Sequence, residues 1–198
     1  MSQHDHAFRV PPRSTENIRD GALYVRKALN ITTPFFPLTD VVEKVLPRMW
    51  PDYIFNVRVK EDMVNEYGKG TLAMTTPAAA LLEVREDVYE EFCAGEGRAR
   101  FTLAHEMGHL FLHQDTGGFA RFNRNTSMKI YESSEWQADN FAAELLMPLE
   151  YATKCTGIES IMNMFGVSYQ AAEIRWKIIK RLQTQKKETP SANSRNLR

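Results

Sequence analysis

Cysteine is scarce in this chain, which contains only Cys93 and Cys155 among its 198 residues. Two isolated cysteines lack the paired spacing of a thiolate zinc site and cannot build a disulfide framework, so they suit a reducing compartment. Long apolar runs are also absent, because no stretch approaches the roughly 18 residues that a membrane-spanning helix needs. The first residues lack the apolar core of a secretion signal. These absences predict a soluble, cytoplasmic protein without a membrane partner.

An excess of one charge sign is lacking too, because 25 Lys and Arg residues balance 25 Asp and Glu residues. This balance disfavours an extended surface for direct nucleic-acid binding, although it leaves room for a local basic patch. The remaining composition, 43% hydrophobic and 25% charged, is ordinary for a globular protein. We predict one domain over residues 15–183, with a disordered segment 1–14 before it and a disordered basic tail 184–198 after it.

The middle of the chain changes from helical periodicity to short runs rich in β-forming residues. Helices are predicted at 15–30 and about 39–46. Three strand candidates follow, at 53–59, 70–74 and 80–84, and we expect them to form a small antiparallel sheet. An edge strand of such a sheet could pair with an extended substrate segment. The last of the three is the favoured candidate because it directly precedes the next helices; alternatively, the sheet only supports the helices.

The run His105-Glu106-Met107-Gly108-His109 is the most informative pattern in the chain. Two histidines four positions apart on a helix share one face and can bind one metal ion, and the glutamate between them can act as general base. The flanking residues are almost all apolar, which indicates a buried helix rather than a solvated face carrying two histidines by chance. Gly108 costs roughly 1 kcal/mol in mid-helix relative to Ala, so we expect another backbone or a ligand to approach closely there.

A catalytic zinc site needs a third protein ligand, and a second helix, predicted over 134–148, offers acidic candidates. Ser134 with Gln137 three positions later fits a capping box at its start. Glu135 and Asp139 lie four positions apart and share a face. One carboxylate there can complete the metal site while the other accepts the N–H of a ligating histidine. We favour Glu135 as the ligand over a reading of this face as merely solvated. The alternative ligands are Glu132 and Glu144.

His113 lies one helical turn beyond His109 and is the remaining ligand candidate. Histidines at i, i+4 and i+8 drift along a straight helix by about 6 Å per step, so one ion cannot easily reach all three. The longer motif in which a third histidine does ligate needs a glycine turn before it, and residues 110–112 contain none. We therefore expect His113, like Asp139, to lie beside the metal ligands rather than among them.

Two stretches outside the motif remain open to more than one interpretation. Residues 114–133 show weak periodicity and join the two halves of the metal motif, so they form either a lid or a plain surface loop. Residues 149–183 predict a C-terminal helical bundle in which Ser168 caps the last helix. The turn 165–168 resembles that of a helix-turn-helix, which would bind DNA through residues 157–182, but zero net charge favours packing on the rest of the domain. The predicted core stripe of the last helix is Ala171, Ile174, Ile178 and Leu182.

Two sequence blocks together resemble the ImmA/IrrE family of bacterial metallo-endopeptidases. The first is Arg-Phe-Thr-Leu-Ala-His-Glu-Met-Gly-His-Leu-Phe-Leu-His at 100–113, and the second is Glu-Trp-Gln-Ala-Asp-Asn-Phe-Ala-Ala-Glu-Leu-Leu-Met-Pro at 135–148. The resemblance extends over about residues 20–183. Together with the element pattern it implies an α+β fold. This would be a mostly helical, zincin-like domain with a small antiparallel sheet before the motif helix and a C-terminal helical bundle.

The resemblance also implies a site and a function. Zinc would be bound by His105, His109 and Glu135, with Glu106 as the catalytic carboxylate, although two histidines and a carboxylate also suit Mn²⁺ or Fe²⁺. The implied substrate is a helix-turn-helix transcriptional repressor, often encoded beside the enzyme on a phage or mobile element, whose cleavage relieves repression after stress. The alternative is a non-catalytic metal-binding regulator that sequesters the repressor. The oligomeric state stays open.

Overall fold

Helices dominate the computed structural model, which describes residues 8–114 and 128–188. The helices are α1 (Thr15–Ala28), α2 (Leu38–Asp40), α3 (Leu46–Met49), α4 (Lys60–Tyr67), α5 (Glu86–Cys93), α6 (Gly97–Leu112), α7 (Ser134–Leu146), α8 (Leu149–Ala152), α9 (Ile158–Phe165) and α10 (Tyr169–Glu188). A π-helical stretch, Val41–Val45, joins α2 to α3, and 3-10 turns occupy Pro77–Ala79 and Ile130–Glu132. The strands are β1 (Ile54–Arg58), β2 (Ala73–Thr76) and β3 (Leu81–Arg85). This arrangement confirms an α+β fold with a small sheet before the motif helix.

The sheet is mixed, so the prediction of an antiparallel sheet was wrong for one of its two pairs. The strand order is β1-β3-β2. β3 runs antiparallel to β2 but parallel to β1, with Ile54 opposite Leu81. The cause is α4, a helix that the sequence analysis did not predict. It carries the chain from β1 to the far side of the sheet, where β2 forms and leaves the central position for β3.

The central position of β3 contradicts the expectation that strand 80–84 is an edge strand open to substrate. Both sides of β3 are hydrogen-bonded to neighbouring strands. Its middle residues, Leu82, Glu83 and Val84, are buried. Among the described strands, the open edges belong to β1 and β2, and β2 is the one that packs against α6.

The centre of the domain is the contact between α6 and α7, which α1 covers from the α7 side. Each of the three helices contributes fully buried apolar side chains, and such burial is the main stabilising term in folding. The apolar residues of these helices that have no exposed surface are Ile18, Ala22, Leu103, Ala104, Met107, Leu110, Ala138, Phe141, Ala142, Leu145 and Leu146. α6 and α7 therefore form a rigid pair in the interior.

The last helix, α10, is longer than predicted, and it buries a different face from the predicted one. α10 continues to Glu188, beyond the predicted domain end at residue 183. Ser168 caps it as expected, accepting a hydrogen bond from the Ala171 N–H. Two members of the predicted core stripe, Ile174 and Ile178, are exposed. The buried face is instead Ala172, Arg175 and Ile179. The helix is turned this way because Arg175 is fully buried in an ion pair with Glu144.

The turn between α9 and α10 is a packing junction. A Cβ on Gly97, the first residue of α6, would lie 2.4 Å from the Ser168 nitrogen, so the two backbones are in direct contact there. On the other side, the Phe35 ring lies close over Gly166. The start of α6 and a loop aromatic thus cover the turn. This geometry favours packing over a DNA-reading role for residues 157–182.

Residues 8–14 of the N-terminal segment contact the rest of the domain, although disorder was predicted for them. Val10 is buried, and Arg9 forms a β-bridge with Ser133. The backbone N–H of Val10 donates to the Glu132 carbonyl at 2.9 Å. The cause is non-local, because the segment gains its order by pairing with residues that begin α7.

Some predictions concern residues that the structure does not describe. The predicted lid or loop at 114–133 lies mostly among them, since residues 115–127 are not described. The same holds for residues 1–7 and 189–198, for which disorder was predicted. Within the described ranges, every helix is too short or too polar to cross a bilayer.

Candidate metal centre

Two histidines of α6 face each other across one helical turn. His105 and His109 are four residues apart, and their Nε2 atoms lie 3.0 Å from each other. His105 is buried, and the His109 side chain is only 12% exposed. The apolar flanks place this turn of α6 inside the domain, as the sequence pattern indicated.

Glu135 reaches the same point from the first turn of α7. Its Oε2 lies 3.2 Å from His105 Nε2, and its Oε1 lies 3.4 Å from His109 Nε2. One ligand atom from each of the three residues falls within 4.8 Å of the others. The helix start that positions Glu135 is capped by Ser133, not by Ser134 as predicted, since the Trp136 N–H donates to the Ser133 hydroxyl.

The two alternative acidic ligands are held elsewhere. Glu132 forms an ion pair with Arg9 at 2.9 Å and accepts a hydrogen bond from the Lys129 N–H. Glu144 accepts two hydrogen bonds from the buried guanidinium of Arg175, at 3.0 and 2.7 Å. Each carboxylate thus has a cationic partner of its own, which leaves Glu135 as the acidic residue at the histidine pair.

Asp139 orients His105. Its Oδ1 lies 2.8 Å from His105 Nδ1, so Nδ1–H donates to the carboxylate, and Nε2 is the ring nitrogen that can bind a metal ion in place of a proton. Burial disfavours a charge on this ring. Even so, the hydrogen bonds to Asp139 and Glu135 raise the pKa of His105 to about 10. The surrounding carboxylates therefore favour a positive charge at this position.

His113 meets His109 at the ring nitrogen opposite to the one that faces Glu135. Its Nδ1 is 3.1 Å from His109 Nδ1, and its Nε2 is 3.2 Å from the amide oxygen of Gln137. Burial lowers the pKa of His113 to about 4, helped by repulsion from His109. A neutral His113 can accept the Nδ1–H of His109, which leaves the His109 Nε2 lone pair directed toward Glu135.

The donor set fits a divalent metal ion. Two imidazoles and one carboxylate converge inside a buried space, and a buried carboxylate needs a compensating cation, which is either a proton on an imidazole or a metal ion. Burial opposes the ionised form of Glu135, but its contacts with the two histidines outweigh burial and lower its pKa below the usual range. Two histidines and a carboxylate are also the donor set of several catalytic zinc sites.

Glu106 and β2 lie beside this centre. Glu106 is 8% exposed, and its charge is close enough to contribute to the raised pKa of His105. The buried hydroxyl of Thr75, on the edge strand β2, donates to the Glu106 carbonyl at 3.2 Å. The open edge of the sheet is thereby anchored to the turn of α6 that carries the glutamate.

Gly108 allows α6 and α7 to approach closely enough to form the site. A Cβ at this position would lie 2.9 Å from Ala138 Cα and 3.0 Å from the Ala138 carbonyl oxygen. The expected close approach is therefore that of another backbone, namely α7. A larger residue would push the helix carrying Glu135 away from the histidines.

Sequence reasoning missed two contributors to the site. Gln137 was interpreted as part of a capping box, but its amide donates to the carbonyls of Pro11 and Tyr131 and accepts from His113. Thr75 carried no signal, because its role depends on packing between a strand and a helix far apart in sequence. For Gln137 a signal existed, since it lies on the same face of α7 as the buried Phe141 and Ala138 rather than on a polar face.

Comparison with known proteins agrees with this geometry. The family model of the IrrE N-terminal-like domain, peptidase family M78, matches residues 55–177, more than half of the chain. The matched region contains both α6 and α7 with their site residues. No curated protein matches the chain. The resemblance indicated by the two sequence blocks is confirmed, and with it a metallopeptidase-like fold. The chain belongs to the IrrE N-terminal-like domain family.

Proposed function

We propose that this protein is a zinc-dependent endopeptidase whose substrate is a helix-turn-helix transcriptional repressor in the cytoplasm. The observation that carries the proposal is the convergence of His105, His109 and Glu135, with ligand atoms within 4.8 Å of one another, next to the buried Glu106. A site that only stabilises the fold has no need of the additional glutamate. Peptide hydrolysis uses a carboxylate at this position as general base.

Each residue of the site has a distinct role in the proposed hydrolysis. His105, His109 and Glu135 would hold the ion, which when bound lowers the pKa of a coordinated water and polarises the scissile carbonyl. Glu106 takes the proton from the attacking water and passes it to the leaving amine. Asp139 keeps the His105 lone pair on Nε2 by accepting the proton of the opposite ring nitrogen.

The edge strand β2 supports recognition of an extended peptide. β2 is paired on one side only, and Thr75 ties it to the backbone of Glu106. A substrate segment that adds to this edge would form main-chain hydrogen bonds and run past the general base. We propose β2 in place of strand 80–84 as the strand that binds substrate. The repressor as substrate is supported by the family resemblance.

A Glu106→Gln variant tests the catalytic assignment. The zinc-loaded protein is incubated with a purified helix-turn-helix repressor, taken from the neighbouring gene where that gene encodes one, and fragments are identified by mass spectrometry. We expect wild type to cut the repressor and Glu106→Gln to lose cleavage by roughly 10²–10⁴-fold, the usual contribution of a general base. Glu91→Gln, which alters an exposed glutamate of α5, is the matched control and should cleave normally.

The outcomes separate this proposal from its rival. If Glu106→Gln cuts the repressor as fast as wild type, Glu106 is not the base. If wild type binds the repressor in a stable complex and never shortens it, the protein is a sequestering regulator instead. Exchange of zinc for Mn²⁺ or Fe²⁺ in the same assay identifies the ion that supports the fastest cleavage.

A further inference from the structure

The N-terminal segment, residues 8–13, lies along the residues that lead into α7. The Val10 N–H donates to the Glu132 carbonyl at 2.9 Å, and the Arg13 N–H donates to the Tyr131 carbonyl at 3.2 Å. Val10 is also buried, so an apolar side chain anchors the segment together with the backbone hydrogen bonds. The segment is therefore docked on the approach to the helix that carries the acidic metal ligand.

This pairing continues to Ser134, the first residue of α7. The Ser134 N–H donates to the Phe8 carbonyl, and the Ser134 hydroxyl accepts the Phe8 N–H, both at 3.0 Å. A hydroxyl that accepts an N–H still has its own proton to donate. Its acceptor is Oε1 of Glu135, which lies 3.4 Å from Ser134 Oγ. The hydroxyl has no exposed surface around it, because Ser134 is completely buried.

Ser134 thus connects the N-terminal segment to the carboxylate that faces the histidines. Oε1 of Glu135, the atom that accepts from Ser134, is also the atom 3.4 Å from His109 Nε2. A hydrogen bond to one carboxylate oxygen restricts rotation of the group, and such bonds orient metal ligands. Without the Phe8 N–H, the hydroxyl can rotate and donate to a nearby backbone carbonyl instead, as serine hydroxyls in helices commonly do.

We propose that Ser134 is a positioning residue that holds the Glu135 carboxylate in place for the metal ion and takes its own orientation from Phe8. The N-terminal segment is thereby a functional part of the metal centre although it contributes no ligand. The coupling is reciprocal by linkage, so zinc that binds more tightly to the docked form must also strengthen the docking. The inference rests on the proposed role of Glu135 as a metal ligand.

A Ser134→Ala variant of the full-length protein tests this role, because it removes the hydroxyl and keeps the backbone hydrogen bond to Phe8. We expect zinc affinity, measured by competition with a chelating dye, to fall by roughly 10-fold. This is the lower end of the roughly 10–100-fold range for residues behind a metal ligand, since 3.4 Å is long for a hydroxyl donor. The visible spectrum of the Co²⁺-loaded protein should change as well, because it reports the geometry of the ligands rather than stability.

Ser160→Ala is the matched control. The Ser160 hydroxyl also accepts a backbone N–H at the start of a helix, from Gly157 before α9, and donates to the Gly157 carbonyl instead of a metal ligand. Its loss should leave the zinc affinity and the Co²⁺ spectrum at their wild-type values. Equal affinity and an equal spectrum for Ser134→Ala and wild type would overturn the proposal.

Hydrogen exchange in the wild-type protein tests the reciprocal effect without a variant. We expect zinc to slow exchange of the Phe8 amide several-fold and to leave the Gly68 amide, at the end of α4, unchanged. Exchange at Phe8 that ignores zinc would overturn the proposal, and this measurement decides if Ser134→Ala fails to fold. A wild type that binds no zinc would refute the metal centre itself, whereas equal zinc binding by wild type and Ser134→Ala refutes only the role of Ser134.

Discussion

Two buried glutamates of α7 have contrasting partners. Glu144, near the end of the helix, receives two hydrogen bonds from the Arg175 guanidinium, with Arg19 Nε 3.3 Å away. Glu135, at the start of the same helix, meets two imidazoles, His105 and His109, within 3.4 Å. The side chain of Glu144 is 4% exposed and that of Glu135 is 12% exposed. They differ in whether the chain itself provides the compensating cation.

The comparison shows how a buried charge can indicate a ligand. A buried carboxylate is tolerated only with compensating charge or hydrogen bonds. At Glu144 the fold supplies a permanent cation, so the ion pair is complete and structural. At Glu135 the partners are groups that bind either a proton or a metal, so the site accepts a cation from outside. Substitution of either glutamate alone therefore separates its effect on stability from its effect on metal binding.

The largest effect on stability is expected for Glu144→Gln. The substitution leaves the Arg175 charge buried without a counter-charge, which costs about 3–5 kcal/mol for such pairs. Urea unfolding of the metal-free protein measures this loss. Zinc affinity of the folded fraction should stay at the wild-type value. A variant as stable as wild type would show that the ion pair is not needed.

Zinc itself should stabilise the fold through Glu135. Binding to the native state alone adds about 2.7 kcal/mol when free zinc is 100 times its dissociation constant. Wild type and Glu144→Gln should both gain this increment in urea unfolding, and a chelator should remove it. Glu135→Gln should gain much less at the same zinc concentration. An equal gain in Glu135→Gln would mean that zinc binds elsewhere.

The approach of the two helices is tested by Gly108→Ala. The added methyl group would lie 2.9 Å from Ala138 Cα, and such overpacking typically costs about 1–3 kcal/mol. Because α7 must move, we also expect weaker zinc binding, measured by competition with a chelating dye. Unchanged stability and zinc affinity would contradict the role assigned to this glycine.

The smallest effect is expected for Gly21→Ala, which is the control for Gly108→Ala. Gly21 is also helical, but its Cβ would meet only Leu112 Cδ2 at an ordinary 3.8 Å. Replacement of a helical glycine by alanine without a clash stabilises by up to about 1 kcal/mol. Thermal unfolding should therefore show a small increase, with zinc binding unaltered. A loss of stability would mean that helix α1 packs more tightly than the structure shows.

The features that depend on the spacing of residues within one helix could be predicted from the sequence. Helical periodicity singled out the pairs His105/His109 and Glu135/Asp139, and the structure brings them together. It did not reveal the parallel pairing of β1, because register between distant strands depends on where α4 returns the chain. Nor did it reveal the order of residues 8–13, which comes from pairing with a segment more than 100 positions away. Likewise, the buried face of α10, which contains Arg175, is shifted by one residue from the predicted stripe.

The zinc content of the two glutamate variants distinguishes a metal ligand from a partner in a structural ion pair. Wild type, Glu135→Gln and Glu144→Gln are loaded with zinc, dialysed against a weak chelator and analysed for metal and protein by mass spectrometry. We expect one retained zinc per folded chain for wild type and Glu144→Gln and almost none for Glu135→Gln. Removal of a ligand should weaken zinc binding by more than the roughly 10–100-fold typical of residues behind a ligand. Full zinc retention by folded Glu135→Gln would show that Glu135 is not a ligand.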